Sequence, residues 1–99
     1  MPGRFTKQPL ESYTIAVEFA GKLPSGATLA SGTVSAVRMD NGATDNSVLA
    51  STTMTIVGTQ ARVKVQGGLS GIDYKLTCLI TLSNSDLLEE DVTMEVESL

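Results

Sequence analysis

A cluster of glycines precedes the single cysteine of the chain. The segment from Gly67 to Ile80 reads GGLSGIDYKLTCLI. Glycines that lead into a helix can bind a phosphate through backbone N–H groups, and an activated cysteine can act as a nucleophile. These glycines lack the lysine and serine or threonine of a P-loop, and their spacing does not match G-x-G-x-x-G. We therefore interpret the cluster as a turn between strands, with no catalytic or cofactor-binding residue.

Cys78 is predicted to be a structural residue. It alternates with polar positions in the same phase as Leu76 and Ile80, so it is expected to face the core, where burial raises a thiol pKa. A single cysteine cannot form an internal disulfide. The chain has no histidine, the commonest general base and a common metal ligand. We expect a protein that is not an enzyme.

A loop rich in aspartate and asparagine is the one candidate for a metal site. Asp40, Asn41, Asp45 and Asn46 could offer oxygen ligands to calcium, but their spacing does not match an EF-hand. The same residue types form ordinary turns. No metal site is predicted, and a metal ion in the 40–46 loop stays an open alternative.

Period-two alternation of apolar and polar residues dominates the chain and predicts strands. No window keeps a helical period, so the fold class is all-β, an antiparallel sandwich or small barrel of six to seven strands. A bulge or bend is predicted near Val37, where the apolar phase changes. The six clear runs are 13–19, 28–39, 48–56, 61–65, 72–82 and 88–96.

The length and composition indicate one domain with an aliphatic core. The chain has 99 residues, of which 41% are hydrophobic and 4% aromatic. Residues 9–99 are predicted to form the domain, and residues 1–8 a flexible N-terminal arm. The N-terminus lacks the apolar run of a signal peptide, and no apolar stretch is long enough to span a membrane. Folding in the cytoplasm and no membrane partner are expected.

Charge is distributed unevenly along the chain. The net charge is -4, which argues against a nucleic-acid partner. No basic residue follows Lys75, so the last strand is acidic. Its carboxylates are predicted to be solvated rather than catalytic, and either protect an exposed strand or bind a basic partner. The arm could lie on this strand of a neighbouring copy. The candidate interface residues are Arg4, Phe5 and Lys7 in the arm and Glu89, Asp91, Glu95 and Glu97 in the strand.

The last third of the chain resembles the final two strands of an immunoglobulin-like sandwich. In that fold a tyrosine near the start of the penultimate strand directs its hydroxyl back to the preceding chain, forming a tyrosine corner. Gly71, Tyr74 and Leu76 lie in that order here. The resemblance implies a structural corner formed by Gly67, Gly68, Gly71 and Tyr74.

A narrower resemblance covers about Lys7 to Val96. The motifs in order are K-x-P, V-x-F, L-x-x-G-A-T-L, G-T-x-x-x-V-x-V and G-G-x-x-G-x-x-Y-x-L-T, carried by Lys7, Pro9, Val17, Phe19, Leu23, Gly26, Ala27, Thr28, Leu29, Gly58, Thr59, Val63, Val65, Gly67, Gly68, Gly71, Tyr74, Leu76 and Thr77. This order is similar to that of the small fiber-tail adaptor proteins of tailed bacteriophages and prophages.

The resemblance implies a non-enzymatic virion protein without a cofactor. Its expected partners are portal, tail or fiber components and further copies of itself, bound by protein–protein contacts in a fiber-tail or head-tail adaptor assembled in the host cytoplasm. The alternative function is a stand-alone immunoglobulin-like binding or adhesion module for a carbohydrate or protein ligand. The four aromatic residues, three of them predicted to face inward, offer little stacking surface to a sugar.

Overall fold

The structure is a computed structural model that describes residues 3–98. Over this range it contains seven strands and two single-turn 3-10 helices, which confirms the all-β prediction. The strands are β1 (Gly3–Lys7), β2 (Tyr13–Glu18), β3 (Leu29–Arg38), β4 (Thr55–Val57), β5 (Gln60–Val65), β6 (Asp73–Leu82) and β7 (Leu87–Val96), and the 3-10 helices are Ala20–Lys22 and Asn46–Val48.

The strands form two sheets that enclose one core. The four-stranded sheet has the order β1-β7-β6-β3, and the three-stranded sheet has the order β2-β5-β4. All neighbouring strands are antiparallel except β1 and β7, which are parallel. The two sheets therefore pack as a sandwich of four strands on three.

The core follows the predicted alternation and is mainly aliphatic. In β6 every second side chain from Tyr74 to Leu82 is buried, and in β5 the same holds from Ala61 to Val65. The intervening side chains, which are polar except for Leu79, face outward, as expected for a strand with one solvent-exposed face. The largest fully buried side chains are Tyr74, Lys7, Phe19, Leu76, Ile80, Leu82, Met94, Val48, Val65, Val96 and Cys78.

The irregularity predicted in the second run lies elsewhere. The register of β3 against β6 shifts between Leu29 and Ser31, and from Gly32 onward the pairing is regular. Val34 and Ala36 are buried, whereas Met39 follows the end of β3 and is 55% exposed. The apolar phase change near Val37 therefore marks the approach to the strand end rather than a bulge.

The predicted strand 48–56 is reduced to Thr55–Val57. Its first part is a 3-10 turn, and the backbone that follows bonds to both sheets. The Ala50 N–H donates to Lys64 of β5 at 2.9 Å, and the Thr52 carbonyl accepts from Val34 of β3 at 2.8 Å. One straight strand cannot pair with both sheets of a sandwich, so this segment crosses between them.

The turn between β6 and β7 contains a strained residue. Ser85 has φ 72°, the only positive φ outside glycine in residues 3–98. A side chain in this left-handed region costs about 1–2 kcal/mol, which glycine avoids at a smaller entropic cost. We expect Ser85→Gly to raise the free energy of unfolding by about 0.5 to 1 kcal/mol in urea denaturation.

Ser25→Gly is the matched control for this variant. Ser25 is exposed in another turn and has no positive φ. The substitution there adds only backbone freedom to the unfolded chain and should lower stability by a few tenths of a kcal/mol. Equal effects of the two substitutions would contradict the assignment of strain to Ser85.

Candidate assembly surfaces

The segment predicted as a flexible arm is a strand within residues 3–7. β1 pairs with β7 over five residues, from Gly3 opposite Val92 to Lys7 opposite Val96. The prediction of an arm is wrong here, because β7 offers an unpaired edge that β1 covers. Arg4 pairs with Glu95 of the same chain, with 2.6 Å between Nε and Oε1. The basic segment and the acidic strand therefore meet within one chain. Met1 and Pro2 lie outside the described residues.

Lys7 is buried and cannot belong to an exposed interface, contrary to the prediction. Its side chain is 0% exposed, and Nζ donates to the carbonyls of Gln8 (2.7 Å), Pro9 (3.3 Å) and Gly67 (2.5 Å). Burial lowers the Lys7 pKa, an effect that Glu11 partly offsets. The lysine stays inside because backbone carbonyls replace its water. It joins the end of β1 to the glycine turn.

The predicted corner residues lie together at this end of the sandwich. Gly67, Gly68 and Gly71 have φ values of 58°, 98° and 85°. Tyr74 is fully buried, and its hydroxyl accepts the Leu69 N–H at 3.1 Å. The hydroxyl thus reaches back five residues to the turn that precedes β6. These contacts have the geometry of a tyrosine corner.

Removal of the Tyr74 hydroxyl tests the energetic role of this corner. Tyr74→Phe leaves the Leu69 N–H without its protein partner and should lower the free energy of unfolding by roughly 1 kcal/mol. Urea denaturation measures the effect. Tyr13→Phe is the control. The Tyr13 hydroxyl donates to the exposed Thr6 carbonyl at 3.2 Å, and a water molecule can donate to this carbonyl when the hydroxyl is removed. Equal costs for both variants would mean that the Tyr74 hydroxyl does not fix the corner.

The four candidate carboxylates of the last strand differ in their partners. Glu95 binds Arg4, and Asp91 lies 3.6 Å from Lys75 through Oδ2, while Asp91 Oδ1 is buried without a partner among residues 3–98. Glu89 and Glu97 are exposed and belong to no ion pair in this range. Exposed pairs contribute little to stability. We call these four carboxylates, of Glu89, Asp91, Glu95 and Glu97, the acidic band. Within it, Glu89 and Glu97 are the most available to a partner.

Glu90 is a functional candidate that the strand pattern did not single out. It lies in the inward phase of β7 with Leu88 and Val92, and its side chain is 15% exposed. Its carboxylate pairs with Lys22, whose Nζ also donates to the Glu89 carbonyl at 3.3 Å. The period-two pattern places Glu90 inward, but the sequence does not reveal a lysine from another loop as its partner.

An open groove separates the two sheets beside β1 and β2. Its volume is about 500 Å³. Phe5, Ile15, Val17 and Val92 form its apolar lining, and charged side chains surround it. Phe5, a predicted interface residue, is half-buried in this lining and packs at a tilt against Tyr13 with 6.2 Å between ring centroids. A second groove, between Thr14, Ala50 and Arg62, is smaller, with a volume of about 310 Å³.

Cys78 is buried in the core and its thiol is unsuited to nucleophilic chemistry. Burial, with smaller effects of Asp91 and Glu90, raises its pKa from 9.0 to about 11. In the unfolded chain the thiol ionises near pH 9, whereas in the folded chain it keeps its proton. Stability is therefore lost as the pH rises from about 9 to about 11.

This titration predicts a pH-dependent difference between wild type and Cys78→Ala. At pH 10.5 the advantage of the wild type in unfolding free energy should be about 2 kcal/mol smaller than at pH 7.5. Urea denaturation of both proteins at both pH values measures it, and the comparison cancels the titration of other groups. A constant difference would contradict the raised pKa.

The oxygens of the 40–46 loop are used in local contacts. Asp40 binds Arg38 at 2.9 Å, and the Asn41 side chain accepts the Ala43 N–H at 2.9 Å. Asp45 caps the following 3-10 turn, and Asn46 accepts the Ala36 N–H of β3 at 2.8 Å. No group of three or more histidine, cysteine, aspartate or glutamate side chains that could hold a metal ion occurs within residues 3–98. These contacts explain the composition of the loop as turn chemistry.

Within residues 3–98, no helix has the length and apolarity needed to cross a membrane. A search of curated proteins finds no match for the chain. A protein-family model does match: its description is Gp77, podophage GP4 fiber-tail adaptor protein gp77, and the match covers residues 7–95. The matched segment starts at the buried Lys7 and includes the corner, the groove lining from β2 and most of β7. The chain therefore belongs to the podophage GP4 fiber-tail adaptor family.

Proposed function

We propose that this chain is a non-enzymatic structural protein of the virion, a fiber-tail or head-tail adaptor that acts through protein–protein contacts. The observation that carries the proposal is the family match over residues 7–95, nearly the whole chain. The surfaces of the sandwich agree with it, since they offer an acidic band and an apolar groove rather than a set of convergent catalytic groups. Its partners are other tail or fiber components, and it is assembled in the host cytoplasm.

The proposed fold is a single immunoglobulin-like domain. Two features support it, the four-on-three strand arrangement and the hydrogen bond from Leu69 to Tyr74. Their common consequence is a rigid body with loops at both ends and strand edges at both sides. An adaptor needs such a body because it must hold two neighbours in a fixed relation.

The assembled form is proposed to contain several copies around the tail axis. Support comes from the free carboxylates Glu89 and Glu97 and from strand edges that can pair with another chain. Contact between the basic segment and a neighbour's acidic strand is not part of this proposal, because Arg4 already binds Glu95 in the same chain.

Virions made with and without this chain test the function. A stop codon in the gene should yield particles without fibers that adsorb poorly to the host, and expression of the chain in trans should restore them. Mass spectrometry of purified wild-type virions should detect the chain in a fixed ratio to tail proteins. Complete, infectious particles lacking the chain would overturn the proposal. Native mass spectrometry of the purified chain reports the number of copies.

The alternative of a carbohydrate-binding module receives no support from the aromatic residues. Phe19 and Tyr74 are buried, and Phe5 packs against Tyr13. Sugar-binding modules stack their ligand on exposed rings, so none of these four side chains presents a free platform. Saturable binding on a glycan array would be needed to favour that function.

A further inference from the structure

The two sheets of the sandwich are unequal, and the extra strand lies on the β1 side. At the opposite side β3 and β4 are linked by the 43–54 connection, through the Thr33–Thr53 bridge and the bond from Met54 N–H to the Gly32 carbonyl at 2.9 Å. The four-stranded sheet therefore extends one strand further at β1. The position beside β2 and across from β1 holds no strand of residues 3–98, and the groove lies there.

The free edge of β2 faces this position. The Phe19 N–H donates to the Thr59 carbonyl across the β2–β5 pair. The backbone N–H and C=O groups of the odd-numbered residues of β2 are therefore directed to β5, and those of the even-numbered residues are directed away from it. The N–H and C=O groups of Thr14, Ala16 and Glu18 thus form a row directed to the groove side. They have no hydrogen-bond partner among residues 3–98.

The other long edge is covered by the chain itself. Along β3, the outward N–H groups of Val34, Ala36 and Arg38 donate to Thr52, to the side chain of Asn46 and to Ala43. Strand edges left open recruit another chain, and proteins commonly cover them for that reason. Of these two edges, only that of β2 is open to added backbone, and it is the one that borders the groove.

The groove also specifies what the added strand should contain. Alternate side chains of a strand beside β2 would enter the space lined by Phe5, Ile15, Val17 and Val92, and must be apolar. The other side chains would lie outside, near Glu18. Among the charged residues of the groove, Arg4 pairs with Glu95 and Glu90 with Lys22. Glu18 accepts hydrogen bonds from the neutral Thr59 hydroxyl and Ala20 N–H, but belongs to no ion pair of residues 3–98. The outer position beside Glu18 therefore favours a basic residue, whereas the outer positions beside Thr14 and Ala16 lie nearer to Lys64 and Arg62 of β5.

A second copy of this chain does not fit the position. Suppose that β2 of one copy paired with β2 of a second copy. In each copy β7 lies opposite β2, so β1 of the first copy would overlap β7 of the second, and the reverse. A single extended segment avoids this overlap.

We propose that an extended segment of a partner protein, with apolar residues at alternate positions and a basic residue beside Glu18, binds over about six positions along β2 as a fourth strand of the three-stranded sheet. This inference rests on the proposed adaptor function and names the surface and the partner chemistry. Backbone hydrogen bonds to Thr14, Ala16 and Glu18 provide affinity, and the groove and Glu18 provide selectivity.

A peptide titration followed by NMR tests the proposal. The probe is an eight-residue peptide of alternating valine and lysine with blocked ends, and the matched probes are a valine–glutamate peptide and a scrambled valine–lysine peptide. The first probe should shift and protect the amides of Thr14, Ala16 and Glu18, and should shift the methyl signals of Ile15 and Val92. The matched probes should bind roughly tenfold more weakly.

Two pairs of variants locate the binding. Ala16→Pro removes an N–H that points away from β5, and Ala16→Val keeps it, so only the proline should weaken binding, by about tenfold. Gly3→Leu fills the groove, because a Cβ at Gly3 lies 4.0 Å from Val92 Cγ1 without a clash, and it should also weaken binding. The Gly3→Leu variant provides a second test in case the proline variant does not fold. Lys64→Leu, on the outer face of β5, is its control and should bind normally.

Several results would overturn the proposal. They are shifts centred away from β2, equal binding by the Ala16 variants, no binding of the valine–lysine peptide, or a dimer of the chain that Ala16→Pro abolishes. In virions, Ala16→Pro should reduce incorporation of the chain or attachment of fibers, and Ala16→Val should not. Normal incorporation of both variants and normal fiber attachment would contradict the proposed role of the β2 edge without contradicting the adaptor function. The adaptor function itself is tested separately, by the particles made with the stop codon.

Discussion

We expect Lys7→Met to lower the free energy of unfolding by about 2 to 3 kcal/mol in urea denaturation. The ammonium group of Lys7 is the shared donor to three backbone carbonyls, and methionine keeps most of the aliphatic length but none of the N–H groups. The carbonyls of Pro9 and Gly67 then lose this donor in a partly buried place. Water can replace the donor only in part at such a place, so a share of the desolvation cost remains.

Lys64→Met is the control, since Lys64 is exposed on β5 and its loss should change stability by less than about 0.5 kcal/mol. A second measurement separates local from global effects. The amides of Phe5 and Lys7, which bond to β7, should exchange hydrogen faster in Lys7→Met because the end of β1 is no longer held to the glycine turn. Equal stability of the two variants would show that Lys7 is buried without a structural role.

The buried lysine also shows why β1 is absent from the sequence-based prediction. In Gly3–Lys7 the inward positions are Gly3, Phe5 and Lys7, so only one of the three is apolar. A period-two search cannot detect such a strand. Its formation depends on the free edge of β7 and on a carbonyl from a turn sixty residues away, and these are properties of the folded chain rather than of the segment.

Strands with strong alternation were predictable because burial of one face decides them locally. β5, β6 and β7 agree with the sequence within a residue or two at each end. The short β4 could not be predicted, because the segment before it divides its hydrogen bonds between the two sheets. Sequence pattern therefore predicts the layers of this sandwich better than its edges.

The same distinction applies to the candidate surfaces. The glycine turn could be recognised from its local sequence, and the resemblance to an immunoglobulin-like sandwich implied its corner with Tyr74. The groove could not be predicted from the sequence, because its lining comes from β1, β2 and β7, which only the sheet order brings together. The pairing of Glu90 with Lys22 likewise depends on a loop far away in the sequence.

We expect Gly68→Ala to lower the free energy of unfolding by about 2 to 4 kcal/mol in urea denaturation, the largest single effect in the corner. Gly68 has φ 98°, and a Cβ built there would lie 2.9 Å from Val96 Cγ2 and 3.5 Å from Tyr74 Cε1. Gly67→Ala is the matched control. Gly67 has φ 58°, which alanine can adopt, and nothing lies within 4 Å of its added Cβ, so its cost should be about 1 kcal/mol.

A double-mutant cycle with Val96→Ala separates steric overlap from backbone strain at Gly68. Val96 is fully buried, so Val96→Ala alone leaves a cavity and destabilises the protein. In the Gly68→Ala background the same truncation also removes the atoms that the new Cβ meets. The double variant should therefore be more stable than the sum of the single effects predicts, by roughly 1 kcal/mol. If the two effects simply add, the penalty at Gly68 comes from its φ alone and the packing of β7 against the turn is not tight.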